Sequence, residues 1–168
     1  FIYTRVSTKK QSSDKKYGLD NQKYLCETYK NKFYSQIKDI SYWNDVGSSY
    51  KSGKVLREMG EMIKKIKPRT LILMSEVSRL SRNCKVSKTI LKKIKENNSL
   101  IISVSENLVF GFNTLNNKKF FNKVIDSEKE SDVLSMRAKN TFAYIKKNGG
   151  HVGKIPFGYN IERNFKNI

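Results

Sequence analysis

Residues 70–83 read TLILMSEVSRLSRN, and how they are read decides the fold. The stretch opens with an unbroken apolar run, 70–74, the pattern of a strand covered on both faces and therefore of a parallel sheet. The run empties into serine, glutamate and two arginines. A helical pattern follows, with Val86, Ile90, Leu91 and Ile94 on one face. In α/β proteins a strand end of this kind is where ligands bind.

The same alternation extends in both directions. Residues 1–5 form a short apolar strand, and 36–43 (QIKDISYW) read as a second. Between them a helix from 19 to 33 places Leu25, Tyr29 and Phe33 four apart. Val55, Met59, Met62, Ile63 and Ile66 give a helix face that Pro68 stops. Downstream, SLIISVS (99–105) is another buried strand. Strand and helix alternate throughout, which predicts an α/β fold: a parallel-rich sheet with helices on both faces.

Beyond a loop around VFGFNTLNN (109–117), the pattern is helical. One segment carries Phe120, Phe121, Val124 and Ile125. A longer one, 128–147, carries Leu134, Ala138, Thr141, Phe142 and Ile145 as a stripe, and Gly149-Gly150 ends it. Arg137, Lys139, Lys146 and Lys147 read as its basic face. Two readings stand side by side: a helix packed on its own domain, or one with a partner chain on one side and DNA on the other.

The net charge is +19, from 34 Lys and Arg against 15 Asp and Glu. Such a surface favours a polyanion, nucleic acid first. Part of the excess has a plainer source, since 27 Lys and 16 Asn against 2 Ala is what AT-rich coding produces. Arginine is scarcer and so more informative: seven in all, Arg5, Arg57, Arg69, Arg79, Arg82, Arg137 and Arg163. A chain that uses lysine for general charge keeps arginine where a planar, permanently charged fork is needed.

Cys26 and Cys84 lack metal-ligand spacing, and His151 is the only histidine, in a Gly-rich stretch that reads as a solvated loop. These exclude an ordinary zinc site and a Ser–His triad, and two isolated cysteines predict free thiols. No run reaches bilayer-spanning length, and nothing resembles a signal peptide. The first strand begins with almost no lead-in, so residues or a module upstream are expected.

If the strands lie in one sheet, Arg5 and Ser7 follow the first, Asp45 and Ser48 the second, and Ser78, Arg79 and Arg82 the third, with Arg57 opening the helix that feeds it. A serine hydroxyl among several guanidinium groups is the equipment of phosphoryl transfer: a nucleophile, with forks to neutralise the non-bridging oxygens. The helix N-terminus after Arg82 would add its field. Taken singly, Arg5 or Arg82 is a surface ion pair and Ser7 a cap. As a set they converge too well for that.

YTRVSTKKQ, GLDNQ, NDVGSSYK and EVSRLSRN, in this order and spacing, resemble the catalytic domain of the serine recombinases, the resolvase and invertase family. GGHVGKIPFGYNI is similar to the point where large integrase- or transposase-type members enter a DNA-binding domain. The resemblance covers nearly the whole chain. It implies a resolvase-type domain at 1–127, a long oligomerising and minor-groove-contacting helix at 128–148, and a linker into a DNA-binding domain at 149–168.

It also implies chemistry. Ser7 would attack a DNA phosphodiester to give a 5′-phosphoserine and a free 3′-hydroxyl, with Arg5, Arg79 and Arg82 around the phosphate. Gln22 and Asp45 would support them, and Ser48 would supply a further hydroxyl. Arg57 is the candidate for an arginine the family carries after the GSSYK loop, with Lys51 or Lys54 as stand-ins. Arg137, Lys139, Lys146, Lys147 and Lys154 would meet double-stranded DNA. A homodimer would assemble to a tetramer on DNA, without metal, ATP or any other cofactor. The protein would act in the cytoplasm on the nucleoid, or with the DNA of a mobile element or virus.

One departure is Ser78, where resolvases carry an aspartate; Glu76 lies near enough to compensate in part. No general base for Ser7 is evident. The alternative function is a catalytically silent DNA-binding relative, which would have lost the serine or its arginines, and all are present. A nucleotide-binding enzyme would need a glycine loop after the first strand, where Lys and Ser stand. GGHVGK has P-loop character only superficially, with Ile155 where a hydroxyl should hold magnesium. An RNA-binding module would need an aromatic stacking platform, and none is evident.

Overall fold

A computed structural model describes residues 1–7, 17–47, 54–112, 114–155, 157, 158 and 160. The elements are β1 (Ile2–Val6), α1 (Tyr17–Phe33), β2 (Tyr42–Val46), α2 (Arg57–Lys64), β3 (Leu71–Met74), a 3₁₀ turn (Val77–Arg79), α3 (Cys84–Glu96), β4 (Leu100–Ser103), β5 (Leu108–Gly111) and α4 (Asn117–Lys147). Five strands form one sheet in the order β2-β1-β3-β4-β5. The pairs β1/β2, β1/β3 and β3/β4 are parallel, and β4/β5 is antiparallel.

Strand alternation splits the core into two faces. Tyr3, Ile72, Met74 and Ile101 join Met59 and Met62 of α2, Val86, Ile90, Leu91 and Ile94 of α3, and Phe120 and Val124 of α4. Ile2, Leu73 and Ile102 face the other way, onto Cys26 of α1. Full burial of side chains such as Met59 and Met62 stabilises by about 1.5–3 kcal/mol each. Helices on opposite faces follow from the strand order: the chain moves outward from β1 to β2, then back across β1 to β3, and right-handed crossovers put the two connecting helices on opposite sides.

Three expectations change. The second strand is Tyr42–Val46, not 36–43. Its place is set by pairing with β1, Ile2↔Tyr42 through Val6↔Val46, and as an edge strand only Asp45 of it is buried, so no apolar run marks it. The supposed loop at 109–117 contains β5, which returns beside β4. Gly111 allows that approach, since a Cβ there would lie 2.7 Å from the Ser99 carbonyl oxygen. The two helical segments expected after 117 are one helix, Asn117–Lys147.

The chain divides into two compact units, Phe1–Ser131 and Asp132–Ile168. In the second, the helix closes as Gly149-Gly150 predicts. Gly149 takes a left-handed φ of 75°, and the Gly149 and Gly150 amides donate to Lys146 and Ile145. Cys26 and Cys84 are free thiols. Burial pushes Cys26 up to about 12, and burial with Glu128 beside it pushes Cys84 up to about 11. Among the described residues no helix is long and apolar enough to cross a membrane.

Candidate active site

β1 and β3 pair only at Ile2↔Leu73, whereas β1 stays with β2 along its whole length. Towards their carboxyl ends β1 and β3 therefore part, at the point where the chain order reverses, which is where open α/β sheets bind ligands. The Arg5 main chain loses a strand neighbour there, and Gln22 of α1 replaces it. The Arg5 amide donates to Gln22 Oε1 at 3.1 Å, and Gln22 Nε2 donates to the Arg5 carbonyl at 3.1 Å and to Gly18 at 2.9 Å. One side-chain amide supplies the donor and acceptor a strand would have given.

In that crevice lies a cavity of roughly 570 Å³, walled by Ser7, Gln22, Ser75, Glu76, Arg79 and Arg82 among others. Ser7, Gln22, Arg79 and Arg82, expected from sequence to converge, do so. Arg5 lies beneath, 2% exposed. Its guanidinium donates to the carbonyls of Arg79 (Nε, 3.0 Å), Gly47 (Nη1, 3.0 Å) and Ser78 (Nη2, 2.6 Å), tying β1 to the end of β2 and to the 3₁₀ turn. Burial lowers the Arg5 pKa from its ordinary value, opposed by Tyr3 and Asp45 and assisted by the like charges of Arg82 and Arg79. A cluster of cations that destabilise one another favours an anion among them.

Arg79 on the wall is bonded differently. Its Nη2 donates to Glu76 Oε2 at 3.1 Å, its Nη1 reaches the Arg5 carbonyl only at 3.5 Å, and its buried Nε has no partner among the described residues. Ser78, where an aspartate was the family expectation, donates from Oγ to the same Glu76 oxygen at 3.0 Å.

Asp45 is buried but belongs to the frame, not the wall. Its carboxylate accepts from the Tyr3 hydroxyl (2.8 Å) and from the amides of Glu58 (3.1 Å) and Met59 (2.9 Å). It thereby caps α2, whose own N-cap position, Leu56, offers no side-chain acceptor. Arg57, whose side chain is 91% exposed, has Glu58 as its nearest carboxylate among the described residues, 3.9 Å away, and does not line the cavity. Ser48 and Lys51 lie outside the described residues.

The N-terminus of α3 is occupied. Asn83 Oδ1 accepts from Val86 and Glu128 Oε1 from Cys84, each at 3.1 Å, so two of its amides are already engaged. Sequence reading missed Tyr3 and Glu106. Glu106 accepts from the Val77 amide at 2.7 Å and from Ser103 Oγ, and so fixes the turn that carries Arg79. Nothing in a turn residue thirty positions away signals that role.

In the second unit Arg137, Lys139, Lys146, Lys147 and Lys154 are all exposed. They do not share one face. At about 100° per residue, Lys139, Lys146 and Lys147 fall within a third of the helix circumference away from the stripe, whereas Arg137 sits one turn before Thr141, beside it.

The model of the N-terminal domain of resolvases matches residues 1–151. The chain belongs to the resolvase family. Its fold is shared by the N-terminal catalytic domain of TP901-1 integrase (22% identity, 80% of this chain and 96% of that one, TM-score 0.55). A resolvase-family site-specific recombinase from Streptococcus pneumoniae is similar too (22% identity, 88% and 96% covered, TM-score 0.53). No curated protein matches significantly. For a resolvase the β1/β3 crevice is thus the place to look for chemistry, and the described polar residues that meet there bring three hydroxyls, two guanidinium groups, two side-chain amides and a carboxylate.

Proposed function

We propose that this chain is the catalytic part of a site-specific DNA recombinase that cuts and rejoins DNA through Ser7. The observation that carries the reading is Ser7 sharing one cavity with Arg79 and Arg82. The Ser7 oxygen attacks phosphorus, the P–O3′ bond breaks, and the serine proton ends on the departing 3′-oxygen. Arg79 and Arg82 neutralise the non-bridging oxygens as charge builds. A 3′-hydroxyl from another strand reverses the step. Because the phosphoserine ester conserves the bond energy, the cycle calls for neither metal nor ATP.

Arg5, Gln22 and Asp45 hold the frame beneath this chemistry. Arg57 is left outside it, and Ser48 is retained only on the family resemblance. Lys139, Lys146, Lys147 and Lys154, with Arg137 on an adjoining face, meet the DNA backbone, where each phosphate contact makes binding more salt-sensitive. The exposed apolar side chains of the second unit, Leu134 and Phe142 among them, are the contact for a dimer that assembles to a tetramer on DNA. The protein works wherever that DNA lies, in the nucleoid or with a mobile element or virus.

The test is a denaturing gel of the intact protein with DNA from the ends of its own element, run with chelator present. An adduct at the 5′ side of the break in the wild type, and none with Ser7→Ala at equal DNA binding, is expected. Retained adduct with Ser7→Ala sinks the mechanism. No adduct from either protein, with DNA binding intact, favours the silent relative.

A further inference from the structure

Glu76 stands on a wall shared by two cavities. One is the Ser7 cavity, where among the described residues it is the only carboxylate. The other, about 290 Å³, is lined by Glu106, Asp126, Glu130 and Lys123, besides Ser78 and Ser105. In a chain of net charge +19 an acidic pocket against the arginine cavity runs counter to the overall charge.

Among the described residues Arg79 makes one good hydrogen bond from its guanidinium, and it goes to Glu76. The bond to the Arg5 carbonyl, at 3.5 Å, is at the outer limit, and Nε has no acceptor among them. The Ser75 hydroxyl, of a residue on the same cavity wall, is a second buried group with no partner among the described residues. Buried donors left unmade are costly, and native structures keep few of them without a reason. Both belong to residues on the wall of one cavity.

We propose that Glu76 is a resident counter-anion, which a DNA phosphate must displace from Arg79 before the site can work. The inference rests on the recombinase reading given above and makes Glu76 a specificity-determining residue for that reaction. A carboxylate and a phosphate offer the guanidinium the same pair of acceptor oxygens, so they compete for one edge. Both cannot hold it, because two anions at that separation repel. Exchange is feasible because the Arg79 and Glu76 side chains remain 24% and 44% exposed, and pairs so exposed are weak.

The second cavity sets the balance. Glu106, Asp126 and Glu130 repel Glu76 towards Arg79, while Lys123, 3.6 Å from Glu106, is the cation there able to receive the displaced carboxylate. Without Glu76 the arginines would take up any free phosphate. With it, only a phosphate held in place by the remaining DNA contacts displaces the carboxylate, so that binding energy from elsewhere on the DNA is needed to open the site.

The probe is inorganic phosphate at low salt, with binding followed by the shift in melting temperature of the intact protein. Glu76→Gln should bind phosphate about three- to tenfold more tightly than wild type. Glu130→Gln, which removes one charge without touching Arg79, should gain less than half as much on a logarithmic scale. Unchanged or weaker phosphate binding by a natively folded Glu76→Gln overturns the proposal, and so does an equal gain from Glu130→Gln. The adduct assay separates the two ideas. A wild-type adduct without the phosphate gain removes only the counter-anion. The phosphate gain without any adduct leaves the counter-anion standing and removes the recombinase reading.

Discussion

Arg5 beneath the Ser7 cavity and Arg79 on its wall come from the ends of neighbouring strands, and they are bonded in opposite ways. Arg5 is buried and spends its guanidinium on three backbone carbonyls from two other segments of chain. Arg79 is partly exposed and, among the described residues, has one good bond to a carboxylate and a buried N–H without an acceptor. A side chain whose three guanidinium nitrogens each donate to a fixed main-chain carbonyl holds architecture together. One with a donor left over has capacity for a further acceptor. The difference assigns the two arginines different work, although by sequence position both looked like phosphate ligands.

The largest expected effect tests the first half of that contrast. Arg5→Ala orphans three carbonyls, each costing roughly 1–3 kcal/mol. Loss of about 3–5 kcal/mol, read from urea midpoints, is a large fraction of a domain's stability. Arg5→Lys should recover little, because a single ammonium cannot reach three carbonyls in a planar fork. A stable Arg5→Lys protein that has merely lost cleavage would move Arg5 to the wall and erase the contrast.

The second half predicts the reverse. Arg79→Ala should leave the urea midpoint within about 1 kcal/mol, the value of an exposed pair. Adduct formation should fall by about 10²–10³-fold, the usual cost of one transition-state donor. Arg82→Ala should behave alike. Unfolding of Arg79→Ala comparable to that of Arg5→Ala would make the wall structural as well.

That Ser7, Arg79 and Arg82 meet was legible in the sequence, and what each neighbour would do there was not. Leu71–Met74, running straight into Ser and Arg, marked the central strand and the site at its end, because burial on both faces leaves a run that no surface element imitates. Tyr42–Val46 escaped, since an edge strand with one buried residue carries its information in pairing with β1. β5 escaped because the Gly and Asn residues around it read as a loop, although Gly111 is there to let the strand close on β4. Asp45 was read as following the second strand and instead lies within it, and its bonds to α2 amides depend on a helix that arrives from elsewhere. Arg57 shows the converse: it sits next to the Glu58 and Met59 amides that Asp45 holds, yet its side chain points into solvent.

The smallest effect sharpens the account of the frame. Tyr3 donates to Asp45 Oδ2 at 2.8 Å, while Asp45 keeps its two amide donors whatever happens to the phenol. Tyr3→Phe should therefore cost only about 0.5–1.5 kcal/mol at neutral pH, with the fold and the cavity intact. Its signature is in the pH dependence. Burial first, then the negative charge of Asp45, raises the Tyr3 pKa from its ordinary 10.0, so the folded state holds a proton that the unfolded chain releases. A group raised in this sense contributes its full stability below the unfolded pKa and loses it as pH climbs above that value. Wild-type stability should accordingly fall from about pH 10 upward, more steeply than that of Tyr3→Phe, and the gap between the two proteins should narrow. Every other titratable group is common to both proteins, so the difference between the two curves isolates the phenol. A gap that stays constant between about pH 8 and 11 would mean that the phenol is not held against Asp45, and that α2 is docked onto β1 without it.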